Sequence, residues 1–176
     1  MFKPFFGRKL PEVDYRYLVV TLPKKMGLRK RFQRDTRLHR QIGRLIHRVI
    51  TRWMAKQIGC HRNRREDKER AMPGIIMAAQ SFGSALKPHC VYHILVTDGV
   101  YFPDGSYFPL GYWDNDSLLE ALRHSILKSL VARNCLQPDT AKLLESWPLD
   151  RSGFSAFVGS AINQPADRPR LQRVQS

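Results

Sequence analysis

Residues 36–57 read TRLHRQIGRLIHRVITRWMAKQ and show the clearest periodicity in the chain. Apolar side chains recur there at spacings of three and four residues, which places them in one stripe along an α-helix. Asp35 or Thr36 can cap the first turn, and Gly59 suits the end. The stretch therefore predicts an amphipathic helix whose apolar face packs on a core. The stripe consists of Leu38, Ile42, Leu45, Ile46, Val49, Ile50, Trp53 and Met54.

The polar side of this predicted helix carries cations, each four residues after the last. Like charges at that spacing repel and destabilise an isolated helix by about 0.2–0.5 kcal/mol per pair. A face that is only solvated would include glutamates, but residues 36–57 contain none. An anionic ligand bound to the cations would remove their repulsion. We therefore predict a DNA-binding face made of Arg40, Arg44, Arg48, Arg52 and Lys56.

The charge of the whole chain is distributed in a one-sided way. The 176 residues carry a formal net charge of +15. Residues 1–70 hold 21 Lys and Arg against 6 Asp and Glu, whereas residues 71–176 hold 9 against 9. Neutralised phosphates release counterions and strengthen binding, so a basic segment of this kind predicts a polyanionic partner. Nucleic acid fits this pattern best, with acidic lipid or an acidic protein as alternatives.

Composition argues against several other classes of protein. At 43% hydrophobic and 26% charged residues, the chain is typical of a globular domain rather than of a disordered polycation. Its three cysteines lie far apart and form no CxxC pair, which argues against a disulfide framework and a cysteine-rich zinc module. No apolar stretch approaches the roughly twenty residues of a membrane helix, and the first apolar run is too short for a signal peptide. We expect a cytoplasmic protein with no membrane partner.

Outside the basic helix, the chain shows further strand and helix signals. Runs of β-branched and aromatic residues between turn residues predict strands. Pro103-Asp104-Gly105 supplies the turn of a hairpin, and Ser117 with Glu120 forms a capping box before a second amphipathic helix. The order predicts an α+β fold with a largely antiparallel sheet on which the helices pack. The other predicted elements are strands over 15–22, 75–80, 91–97 and 154–162, a hairpin over 101–108, and a short helix from Pro138 to Ser146.

Two of the six histidines, His89 and His93, lie around the third predicted strand. Alternate residues of a strand share a face, so both would point the same way but about 13 Å apart in extended chain. They could share a metal ion only through a bulge or a turn. Three of the remaining histidines are interpreted as structural: His39, His47 and His124. His61 follows Cys60 but has no further ligands at zinc-finger spacing, so it is not taken as a zinc ligand.

A set of collinear motifs surrounds His93. Residues 80–86 read QSFGSAL, and residues 93–101 read HILVTDGVY. Upstream, residues 10–13 read LPEV and residues 22–25 read LPKK, while residues 152–155 downstream read SGFS. In this order the motifs resemble bacterial rolling-circle insertion-sequence transposases of the HUH type.

The resemblance implies an HUH-endonuclease-like fold and a DNA transposase that cuts and joins single strands. In that family two histidines and a further polar ligand hold a divalent metal, Mg²⁺ or Mn²⁺, which polarises the phosphate that a tyrosine attacks. The second family histidine falls on His93, whereas the first falls on Val91 and a further histidine position falls on Phe157. The family tyrosine follows the last strand, and no tyrosine follows Tyr112 here. We therefore expect His93 to be a vestigial ligand and the metal to be lost, with no catalytic residue assigned.

These observations lead to one hypothesis and two alternatives. We expect a bacterial, cytoplasmic, transposase-family protein of DNA transposition and recombination, which binds single-stranded or hairpin DNA and is catalytically incomplete. The alternatives are a nucleic-acid-binding accessory module and a metal-dependent nuclease that uses His89 and His93 with water as nucleophile. The expected organisation is an N-terminal extension over 1–9, a transposase-like domain over 10–165 and a truncated tail over 166–176.

Overall fold

The computed structural model describes residues 10–22, 31–32, 34–59, 71–82, 88–148 and 155–159. Within the strands, the side chains of residues 81–82, 88–89 and 155–158 lie outside that description. The predicted extension over 1–9 and the predicted tail over 166–176 also lie outside it, as do Cys60 and His61.

The described residues form helices and strands in the order that the sequence predicts: strand, helix, two strands, a hairpin, two helices and a strand. The strands are β1 (Tyr15–Thr21), β2 (Ile75–Phe82), β3 (Pro88–Thr97), β4 (Gly99–Tyr101), β5 (Tyr107–Pro109) and β6 (Ser155–Val158). The helices are α1 (Thr36–Gln57), α2 (Asn115–Ala132) and α3 (Pro138–Ser146). β2 and β3 are longer than predicted, and β6 is shorter.

Four of these strands form one antiparallel sheet in the order β2-β3-β1-β6. Val19 of β1 lies opposite His93 on one side of β3, and Ala78 of β2 lies opposite it on the other. β4 and β5 pair as a separate antiparallel hairpin, and Asp104 in its turn accepts a hydrogen bond from Ser106 N at 2.8 Å. The predicted α+β class with a largely antiparallel sheet is confirmed.

One face of the four-stranded sheet is covered by helices. Leu18 and Val20 of β1 and Ile94 of β3 are fully buried in one cluster with the apolar stripe of α1. α2 packs on α1 in turn, and the Trp53 and Trp113 rings lie 5.1 Å apart. Complete burial of one such aliphatic side chain contributes about 1.5–3 kcal/mol, so this layered core dominates the stability. The buried members of the α1 stripe are Leu38, Ile42, Ile46, Val49, Ile50, Trp53 and Met54, while Leu45 is half-buried.

α1 begins and ends where its periodicity predicts. The Asp35 carboxylate accepts hydrogen bonds from Arg37 N at 2.9 Å and Leu38 N at 3.1 Å, so Asp35 rather than Thr36 is the cap. Gly59 follows the helix with a φ of 75°, a left-handed conformation that glycine adopts without steric strain. Local chemistry at both ends therefore sets the length of the helix.

The start of α2 differs from the prediction. Asp114 is its cap, because the Asp114 carboxylate accepts a hydrogen bond from Ser117 N at 3.2 Å. Ser117 lies inside the first turn, where its hydroxyl accepts a hydrogen bond from Trp53 Nε1 at 2.8 Å. The predicted capping box of Ser117 and Glu120 is wrong, because Asp114 is the cap and its carboxylate satisfies the free N–H group of Ser117.

The Asp98-Gly99 pair after β3 joins the hairpin to the sheet. Arg16 of β1 donates to both Asp98 oxygens, from Nε at 2.9 Å and from Nη2 at 3.2 Å, and its guanidinium lies 5.1 Å from the centre of the Trp113 ring. A Cβ at Gly99 would lie 2.3 Å from Phe108 O, so only glycine fits there. These residues of the DGVY motif therefore have a structural role in this chain.

Candidate nucleic-acid interface

The cation row of α1 consists of Arg40, Arg44, Arg48, Arg52 and Lys56, and all five residues are exposed. Successive members are four residues apart, so the row extends for about 24 Å at 1.5 Å per residue. The same helix buries its apolar stripe against the sheet and α2. α1 is therefore divided into a core face and a basic face, as the sequence predicts.

The electrostatics of the cation row are unbalanced. Across the described residues, no Asp or Glu forms a salt bridge with Arg40, Arg44 or Arg48. The first turn of α1 contains no acidic residue, so the carboxylate at this end of the helix is that of the cap, Asp35. Within the described segments, no carboxylate relieves the mutual repulsion of Arg40, Arg44 and Arg48, whereas counterions or an anionic ligand would reduce it.

A groove of about 730 Å³ runs between α1 and the edge strand β2. Its helix wall includes Arg44, His47 and Arg48, and its strand side is apolar, made by Ile75 and Met77. Gly43 lies between them: a Cβ at this position would lie 3.5 Å from Met77 Sδ. The groove therefore joins exposed guanidinium groups to an apolar floor.

His93 lies on the other face of the sheet. Its neighbours Tyr92 and Ile94 point into the helix-covered core, and residues alternate across a strand, so His93 points away from α1. The Tyr17 hydroxyl is 2.5 Å from His93 Nδ1, and the side-chain amide oxygen of Gln80, Oε1, is 2.9 Å from His93 Nε2. The amide oxygen can only accept, so His93 Nε2 donates to Gln80 Oε1, and the Tyr17 hydroxyl donates to His93 Nδ1. Burial raises the pKa of Tyr17, which keeps its hydroxyl protonated.

The positions that the resemblance assigns to metal ligands do not assemble a metal site here. Val91 is buried and shares the face of His93, but it offers no lone pair. Phe157 lies opposite Val19, which lies opposite His93, so the three occupy one row across the sheet. The described side chains include no group of three or more His, Cys, Asp or Glu that could hold a metal ion. The described residues around His93 therefore do not fit a divalent-metal centre, which prefers imidazole and carboxylate ligands.

His89 lies at an irregularity of β3. Gln80 pairs with Val91 and Phe82 pairs with Pro88, so β3 has one more residue than β2 between these two pairs. Such a bulge changes where the strand side chains point. The side chain of His89 lies outside the described residues, so its convergence on His93 stays a prediction.

A cysteine and histidine pair, Cys90 of β3 and His39 of α1, does not resemble a catalytic dyad. Cys90 Sγ lies 3.7 Å from His39 Nδ1. Burial raises the pKa of the Cys90 thiol to about 12 and lowers the pKa of His39. Both groups are therefore neutral near pH 7, and a neutral thiol is a poor nucleophile. The pair supports the structural interpretation of His39.

Sequence reasoning identified the cation row but missed what lies around it. Ile75 and Met77 lie in a stretch that is predicted as a strand, and Gly43 is not singled out among the residues of the predicted helix. Tyr17 and Gln80 come to His93 only because β1 and β2 pair with β3. A glycine inside an otherwise strong helix pattern is a signal that could have pointed to the groove.

Comparison with known proteins adds no further assignment. No protein-family model, no curated protein sequence and no solved structure matches the chain. Among the helices of the described segments, none is long and apolar enough to cross a membrane.

Proposed function

We propose that this chain binds single-stranded DNA through the cation row of α1, as a transposase-family protein without strand-cutting activity of its own. Arg40, Arg44 and Arg48 carry the proposal, because they are exposed and form no salt bridge with a described Asp or Glu. Fixed positive charges at regular spacing complement a phosphate backbone, and their burial against it releases counterions. The order of the motifs around His93, which resembles HUH-type transposases, favours single-stranded DNA as the polyanion.

The absence of strand cutting is proposed from the surroundings of His93. The first ligand position of the resembling family is Val91, and the contacts of His93 are Tyr17 and Gln80. His93 also points away from the side of the sheet on which the cation row lies. DNA held on α1 would therefore not meet His93 on the same surface.

The experiment is a salt titration of binding to a fluorescently labelled single-stranded oligonucleotide. Replacing Arg40, Arg44 and Arg48 with Gln should reduce the slope of log affinity against log salt by about 2, at about 0.7 for each lost single-strand phosphate contact. The matched control replaces three exposed cations elsewhere, Lys128, Arg133 and Lys142, with Gln. The control removes the same net charge and should change the slope far less.

An equal loss of slope in both triple variants would show that binding responds to net charge and not to the cation row. An unchanged slope of log affinity against log salt in the folded triple Arg variant would show that α1 does not contact the DNA phosphates. A parallel titration with a structured RNA separates the transposase-like interpretation from an accessory RNA-binding one. We expect single-stranded hairpin DNA to bind more tightly than the RNA.

A further inference from the structure

Gly43 of α1 is one of the residues that line the groove between α1 and β2. Gly43 faces Met77 and Tyr92, at 3.5 Å and 3.8 Å from the position of a Cβ. A glycine in a helix interior destabilises the helix relative to alanine. At this position Gly43 adds no side chain to the groove, whose floor is made by Ile75 and Met77.

The groove combines two chemistries that a phosphate backbone alone does not require. Arg44 and Arg48 line it and are exposed, so they can pair with phosphates. Ile75 and Met77 are half-buried apolar side chains in the same groove. The thioether of methionine makes favourable contacts with aromatic rings, and guanidinium groups stack on them. Cations beside an apolar floor therefore complement an aromatic ring that carries an adjacent anion.

We propose that this groove accepts an unpaired base of single-stranded DNA while Arg44 and Arg48 hold the phosphates beside it. The inference rests on the proposed function, and it adds that the groove beside α1 recognises the unpaired base of the strand. In a duplex the base faces are stacked and unavailable, so a duplex can use the cations but not the apolar floor. The volume of about 730 Å³ lies within the range of small-molecule sites, roughly 300–1,000 Å³.

The first test changes only the ligand and uses the unmodified chain. A single-stranded oligonucleotide is compared with an abasic oligonucleotide of the same length and with the corresponding duplex. The base-bearing strand should bind about 5- to 150-fold more tightly than the abasic strand, the range expected for stacking one base on a protein. Equal affinity for the two strands, or tighter binding of the duplex, would overturn the base site. Failure of all three to bind would instead overturn the proposed function.

The second test fills the groove without changing charge. Gly43→Leu should abolish most of the preference for the base-bearing over the abasic strand and leave the salt slope unchanged. Gln41→Leu is the control, because Gln41 is exposed on the same helix and does not line the groove. Gly43→Ala serves as a smaller filling variant if Gly43→Leu does not fold. Retention of the full preference in a folded Gly43→Leu protein would show that the base does not enter here.

Discussion

At the scale of single residues, some side chains of the described structure bind partners that are far away in the sequence. Arg16 lies in β1, yet it donates to Asp98 beyond the end of β3 and to the Gly111 carbonyl at 2.9 Å. The side chains of Arg16 and Asp98 are only 13% and 6% exposed. A buried ion pair of this kind is destabilising when one partner is removed, because the other charge is left without compensation.

We predict that Asp98→Asn lowers the free energy of unfolding by about 3–5 kcal/mol, since it leaves the Arg16 guanidinium buried without its anion. Urea denaturation of the variant and the parent measures the difference. Glu145→Gln is the control, because it changes the contact of the Glu145 carboxylate with His124, which is largely exposed, and should cost less than about 1 kcal/mol. Equal effects of the two substitutions would contradict the structural role of Asp98.

At the scale of secondary-structure elements, α1 carries opposing demands on its two faces. Its apolar stripe contributes to the core, whereas its cation row places like charges one turn apart. The row therefore destabilises the isolated protein while it provides the proposed DNA interface. Residues that break a local rule of helix stability, as like charges one turn apart do, are typical of functional surfaces.

We predict that replacing Arg40, Arg44 and Arg48 with Gln stabilises the protein, in contrast to its effect on binding. Three like-charge pairs along the row are removed, so the free energy of unfolding should rise by about 0.6–1.5 kcal/mol at low salt. The gain should shrink at 1 M salt, where screening already weakens the repulsion. Thermal or urea unfolding at both salt concentrations measures it. A loss of stability in this variant would show that the arginines contribute packing to the fold.

At the scale of the whole molecule, the sheet separates two surfaces. α1 and its cation row lie on one side, and the contact of Tyr17, His93 and Gln80 lies on the other. The pairing order β2-β3-β1-β6 places His93 on an interior strand, away from both edges of the described sheet. The two surfaces are therefore expected to act independently.

We predict that His93→Ala changes the affinity for single-stranded DNA by less than a factor of 2, because His93 does not share a surface with the cation row. Adding Mn²⁺ or EDTA should leave the affinity of both proteins unchanged, since the described residues around His93 do not form a metal site. Fluorescence anisotropy with the labelled oligonucleotide measures all four conditions. A Mn²⁺-dependent increase that His93→Ala abolishes would instead support the metal-dependent nuclease alternative.

The sequence by itself determined the bounds of α1, the division of α1 into an apolar and a basic face, and the α+β order of elements. These features are local: the 3.6-residue period, the Asp35 cap and Gly59 all act within one or two turns. The same local reasoning failed at Ser117, because two competing caps lie within one turn and only the structure shows that Asp114 accepts the hydrogen bond.

Only the tertiary structure decided which distant residues meet. Tyr17, Gln80 and His93 are brought together by strand pairing, and the groove combines Gly43 of α1 with Met77 of β2. Strand order and register depend on how the whole chain buries its apolar faces, and no local pattern encodes them. For that reason the cation row could be predicted from spacing, whereas the groove beside it and the surroundings of His93 could not.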